Sequence, residues 1–126
     1  MIETELTDLE IKQFSTYLEQ ASILIVDAGE ASRKRLAQLL IELGAKPLQL
    51  TQTGNFERAV DVIKSSRPNM IIADYRVGTS YGLDLLEKYR TLFPDIQDMV
   101  FIIITADTSQ SALTRAAEEE VDGFII

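Results

Sequence analysis

A chain of 126 residues, 46% hydrophobic and 25% charged, has room for one conventional core and lies outside the disordered and fibrous classes. Its 20 acidic and 12 basic residues leave a net charge of -8, which argues against a direct nucleic-acid-binding face. Without cysteine or histidine there is no disulfide framework, thiolate metal site, imidazole base or phosphohistidine, and a carboxylate-bound metal would be a hard ion such as magnesium.

The start Met-Ile-Glu-Thr-Glu-Leu lacks the basic and apolar regions of a signal peptide. The longest apolar run, Met99 to Ile104, is only a strand's length. The expectation is a cytoplasmic protein with no membrane contact. Residues Glu3 to Gln20 predict an amphipathic helix with Leu6, Leu9, Phe14, Tyr17 and Leu18 as its apolar stripe. That helix is either a tail packed on the domain or a dimerisation or linker helix, so a homodimer is one expectation. The stripe is too short for a coiled coil.

Ile23 to Asp27 predicts a buried strand. Ala31 to Leu43 predicts a helix with Leu36, Leu39, Leu40 and Leu43 on one face, and Gly44 is its stop. Pro47 to Leu50 reads as a short and weak strand, where Pro47 suggests an edge or a strand start. Phe56 to Ser65 is a helix with Phe56, Ala59, Val60 and Ile63 inward. Met70 to Asp74 is a strand, and Tyr81 to Leu92 a helix carrying Leu85, Leu86, Tyr89 and Leu92, stopped by Pro94. Met99 to Thr105 is the most apolar strand. Ser109 to Glu119 is a weaker helix, and Gly123 to Ile126 begins a last strand. Alternating helices and continuous apolar strands predict an α/β fold, a doubly wound parallel sheet covered on both faces. Because the chain stops inside an apolar strand, the expectation is a piece of a longer protein.

Three strands end in Asp27, Asp74 and Thr105. In a parallel sheet these ends share the edge where ligands bind. Buried carboxylates need an offset for their charge, so two together suggest a divalent-cation site or a perturbed acidic pair. A hydroxyl at Thr105, with the small Ala106 beside it, suits an oxyanion. The plainer alternative is that all three are caps and turn formers, common roles for Asp and Thr.

The ordered motifs resemble the receiver domain of two-component response regulators. They are Ile23-Leu24-Ile25-Val26-Asp27 with Arg33-Lys34-Arg35-Leu36, then Pro68-Asn69-Met70-Ile71-Ile72-Ala73-Asp74, Gly82-Leu83-Asp84-Leu85-Leu86, Ile103-Ile104-Thr105-Ala106 and Gly123-Phe124-Ile125-Ile126. The resemblance implies a five-stranded flavodoxin-like sheet of order 2-1-3-4-5 in residues 22–126, preceded by the extra helix in residues 1–21, with the family's last helix absent from this chain. It implies Asp74 as phosphoacceptor, Thr105 as switch hydroxyl and Phe124 as switch aromatic. Magnesium falls to Asp27, Asp74 and the backbone carbonyl of Arg76. The implied partners are a histidine kinase or phosphotransfer protein as donor, and an output domain or partner protein beyond residue 126. The chain is then a signalling module, not an enzyme.

The sequence departs from the family in three places. Ala28 stands where a second acid is usual, which implies weak magnesium affinity; Glu30 is the nearest substitute and would have to fold back. Gly78 replaces a common proline and implies a looser loop. The family's lysine would follow Ile126 directly. Two functions therefore stay open: a phosphorylatable receiver, and a degenerate receiver acting through protein contacts alone. Enzymes on similar sheets fit poorly. A haloacid-dehalogenase-type phosphatase wants an acid at Gly29, a cobalamin domain wants histidine, and a flavodoxin wants a hydroxyl-rich loop where Ala28-Gly29-Glu30-Ala31-Ser32 stands.

Overall fold

The computed structural model describes residues 7–105 and 110–125. The expected positions Glu3, Leu6, Ala106, Ser109 and Ile126 lie outside them. Five parallel strands make the main sheet: β1 (Ile23–Val26), β2 (Leu50–Thr53), β3 (Met70–Asp74), β6 (Val100–Ile104) and β7 (Gly123–Ile125), in the order β2-β1-β3-β6-β7. The short strands β4 (Arg76–Val77) and β5 (Ser80–Tyr81) form an antiparallel hairpin between β3 and the next helix. The helices are α1 (Asp8–Gln20), α2 (Glu30–Leu43), α3 (Phe56–Ser66), α4 (Leu83–Leu92) and α5 (Gln110–Glu118). This is the expected doubly wound α/β, flavodoxin-like architecture.

The strand pleat divides the core in two. Leu24, Val26, Ile71, Ala73, Phe101 and Ile103 face α3 and α4, whose Ala59, Ile63, Leu85 and Tyr89 are buried against them. Ile23, Ile25, Met70 and Ile72 face the other way, toward Leu18 of α1 and Ala37 and Leu40 of α2.

Several local expectations need correction. α1 starts at Asp8 because Thr7 caps it, its hydroxyl accepting the Glu10 N–H at 3.1 Å. Among the described residues of its expected stripe only Leu18 is buried; Leu9 is 64% exposed, and Phe14 and Tyr17 are also exposed. The helix meets the fold through its last turn and through Ser15. A side chain on Gly44 would come within 2.5 Å of Ser15 Oγ, and Gly44 has φ +128, so a glycine is needed both to end α2 and to admit α1. On α2 the buried positions are Ala37 and Leu40, while Leu39 and Leu43 face solvent. Pro47–Gln49 is a 3-10 turn and the edge strand follows at Leu50–Thr53. Its polar Thr51 and Gln52 are exposed, which an edge position tolerates.

Gly78 (φ +65) is the first central residue of the β4–β5 turn, between the paired Val77 and Ser80. Glycine at that position is what a two-residue hairpin favours. The loop implied to be loose is thus a hairpin.

Candidate functional site

Register brings the acids together. Val26 pairs with Ala73 across β1 and β3, so the next residues, Asp27 and Asp74, stand side by side at the carboxyl edge. Strand alternation gives them the parity of Ile25 and Ile72, toward α2. Asp27, Asp74 and Thr105 line one cavity of about 350 Å³, together with Ser32, Arg35 and Leu36 of α2. Thr105 is buried, and its N–H donates to the Ile125 carbonyl at 2.9 Å. Alternation carries it to the side of Phe101 and Ile103.

The carboxylates differ. Asp74 is pushed above the usual carboxylate range, first by burial and then by repulsion from Asp27; hydrogen bonds from the Tyr75 and Arg76 backbone oppose the rise. Asp27 Oδ1 accepts the Gly29 N–H at 2.8 Å, and its carbonyl oxygen accepts Arg33 Nη1 at 2.7 Å. Its own N–H donates to the Thr53 carbonyl at 3.1 Å. This half of the site is held by α2 and β2.

Two sequence candidates stand outside the cavity. Arg76 begins the hairpin, where its guanidinium lies 5.1 Å from the Tyr81 ring centre. Phe124 is half-buried against the α3/α4 core, opposite Ile103. Glu30 does not fold back: it starts α2 and pairs with Lys34 at 3.0 Å, which holds its carboxyl below the usual range.

Sequence reasoning missed three supports. Gly82 packs so closely on the backbone of Asp74 that a side chain there would come within van der Waals exclusion of the Asp74 carbonyl. Tyr81 touches the Tyr75 ring, 5.4 Å centre to centre, and lies between Arg76 and Arg115; Arg115 also pairs with Asp84. Arg33 clamps Asp27 as described. Gly82 and Arg33 stand in motifs of the sequence, but nothing there shows these contacts. Arg115 meets Tyr81 and Asp84 only through the fold.

The donor set suits a hard cation: two carboxylates, one disfavoured as an anion in the absence of positive charge. Magnesium takes one or two carboxylates and keeps several waters. Among the described residues no third aspartate or glutamate joins them to make a denser metal cluster.

Residues 23–126 match the response regulator receiver domain. The chain belongs to this family. It is 31% identical over 100 residues to the probable chemotaxis protein CheY of Rhizobium etli, covering 79% of this chain and 75% of that protein. Chemotaxis protein CheY-3 of Vibrio cholerae is 27% identical over 104 residues, 82% of this chain and 78% of that one. Among solved structures, a response regulator from Burkholderia pseudomallei with a phosphorylated aspartic acid, calcium ion and citrate superposes with a TM-score of 0.69 at 22% identity. That match covers 82% of this chain but only 57% of the Burkholderia chain, so this chain spans little more than half its length. The match shows the shared fold. Among the described residues no helix is long and apolar enough to cross a membrane.

Proposed function

We propose that this receiver domain accepts a phosphoryl group on Asp74 from a phosphohistidine of a histidine kinase or phosphotransfer protein. The observation that carries the reading is the Asp27–Asp74 pair in one cavity with Thr105 at the carboxyl edge of the sheet. The Burkholderia relative, whose aspartic acid is phosphorylated, supports it. A carboxylate oxygen of Asp74 attacks phosphorus; the bond from phosphorus to the donor nitrogen breaks, and its electron pair leaves with the imidazole. The reacting form of Asp74 is the ionised carboxylate, which positive charge in the site favours. Magnesium held by Asp27, Asp74 and the Arg76 carbonyl would neutralise the phosphoryl oxygens. Thr105 then hydrogen-bonds the phosphate, and Phe124 turns inward, changing the face that a partner or output domain reads. The module works in the cytoplasm, away from nucleic acid and membrane.

Ala28 favours a second reading, in which the domain signals through protein contacts without phosphorylation. The site has two carboxylates and Glu30 is engaged elsewhere, so its magnesium affinity is weak. Treatment with acetyl phosphate and magnesium, read by intact mass, separates the two. Phosphoacceptance predicts one added phosphoryl group on the natural chain and none on Asp74→Asn. The absence of any adduct at saturating magnesium selects the second reading.

A further inference from the structure

We infer that Arg35 is a phosphoryl-binding residue, whose guanidinium holds the oxygens of the group carried by Asp74. The inference rests on Asp74 being the phosphoacceptor. Arg35 stands on the second turn of α2 and lines the same cavity as Asp27, Ser32, Asp74 and Thr105. Its two basic neighbours are engaged: Arg33 holds the Asp27 carbonyl oxygen at 2.7 Å, and Lys34 pairs with Glu30 at 3.0 Å. Among the described residues Arg35 makes no ion pair.

A guanidinium that shares a cavity with two carboxylates and pairs with neither leaves a gap between opposite charges. The cavity, about 350 Å³, has ample room for a phosphoryl group in that gap. Phosphorylation of Asp74 would put fresh negative charge and three acceptor oxygens there, as it does on any side chain. The planar fork of arginine matches phosphate oxygens in pairs. The lining also includes the apolar Ile25, Leu36, Ile72 and Ile104, which offer the phosphoryl oxygens no competing hydrogen-bonding side chains. The charge count agrees. With Ala28 beside Asp27 the site has fewer carboxylates to gather cations, and Arg35 supplies fixed positive charge on the same side.

The test compares the natural chain, Arg35→Gln and Arg35→Lys, with Asp74→Asn as control. Each is phosphorylated with acetyl phosphate and magnesium and followed by intact mass. Each is also titrated with beryllofluoride, a phosphoryl mimic, by fluorine NMR. The expected result is a fall of about ten- to hundredfold in both rate and beryllofluoride affinity for Arg35→Gln, with partial recovery in Arg35→Lys. Because Arg35 is exposed on α2, the thermal midpoint should not change. If Arg35→Gln lowers it, Arg35→Met, which keeps the aliphatic stem, takes its place with the same expectation. Equal rates and affinities in the natural chain and the neutral variant overturn the role of Arg35 and leave that of Asp74 standing. Failure of the natural chain to gain an adduct that Asp74→Asn lacks overturns both.

Discussion

The two faces of the sheet share strands but differ in finish. Toward α3 and α4, β6 presents Phe101 and Ile103, both almost wholly buried. Toward α1 and α2 the same strand presents Val100, Ile102 and Ile104, which are only partly buried. The tight face also carries Thr105 and Phe124, the proposed switch pair. The looser face carries Asp27, Asp74 and Arg35 around the cavity. The contrast shows how alternation along one pleat sorts side chains between two cores. The acids fall on the side of α2, while Thr105 and Phe124 follow Ile103 toward the α3/α4 core, and at the carboxyl edge Thr105 still reaches the cavity that the acids line.

The comparison can be broken by mutation. Phe101→Ala should cost about 3–5 kcal/mol in denaturant unfolding, whereas Ile102→Ala, one residue along on the looser face, should cost roughly 1–2 kcal/mol. Equal losses would erase the distinction between the faces. Gly82→Ala should come next, at about 1–3 kcal/mol, because the added methyl group displaces the Asp74 carbonyl. It should also slow phosphorylation, while an exposed glycine replacement at Gly29 should not destabilise to the same degree. Ala28→Asp should tighten magnesium binding about tenfold, or ~1.4 kcal/mol, in a titration. No gain there would show that the missing acid is not what limits the site.

The smallest expected effect concerns pH. Asp74 has a raised pKa in the folded chain, from burial and then from Asp27. Its charged form therefore opposes folding, and the stability it withholds is fully restored below the unfolded pKa and lost as pH rises through the folded one. Asp74→Asn should accordingly raise stability at pH 7, and only slightly, because the group is partly exposed. The gain should vanish as pH falls below the ordinary aspartate range. A gain that grows toward acid would reverse the sign and refute the repulsion.

The sequence made the sheet and the meeting of Asp27, Asp74 and Thr105 legible, because strand ends and a period of two fix those positions whatever the side-chain details. Other features were hidden for physical reasons. The edge strand Leu50–Thr53 is polar outside and has no apolar run to mark it. The stripe of α1 looked ready for burial, yet only its last turn reaches the core. Arg35 reads as one of three basic residues on a solvated helix, and only the fold shows that it alone of the three borders the cavity, with no ion pair among the described residues. Arg115 reaches the Tyr75–Tyr81 pair from another helix, α5, beyond the reach of any local pattern.

Whether Asp74 itself carries the phosphoryl group can be read by treating the acetyl-phosphate-reacted chain with borohydride, which reduces an aspartyl phosphate to homoserine, and mapping the product by tandem mass spectrometry. Homoserine is expected at position 74, and none in a magnesium-free control. Homoserine at another position, or none in the chain that gained phosphoryl mass, would contradict that role of Asp74.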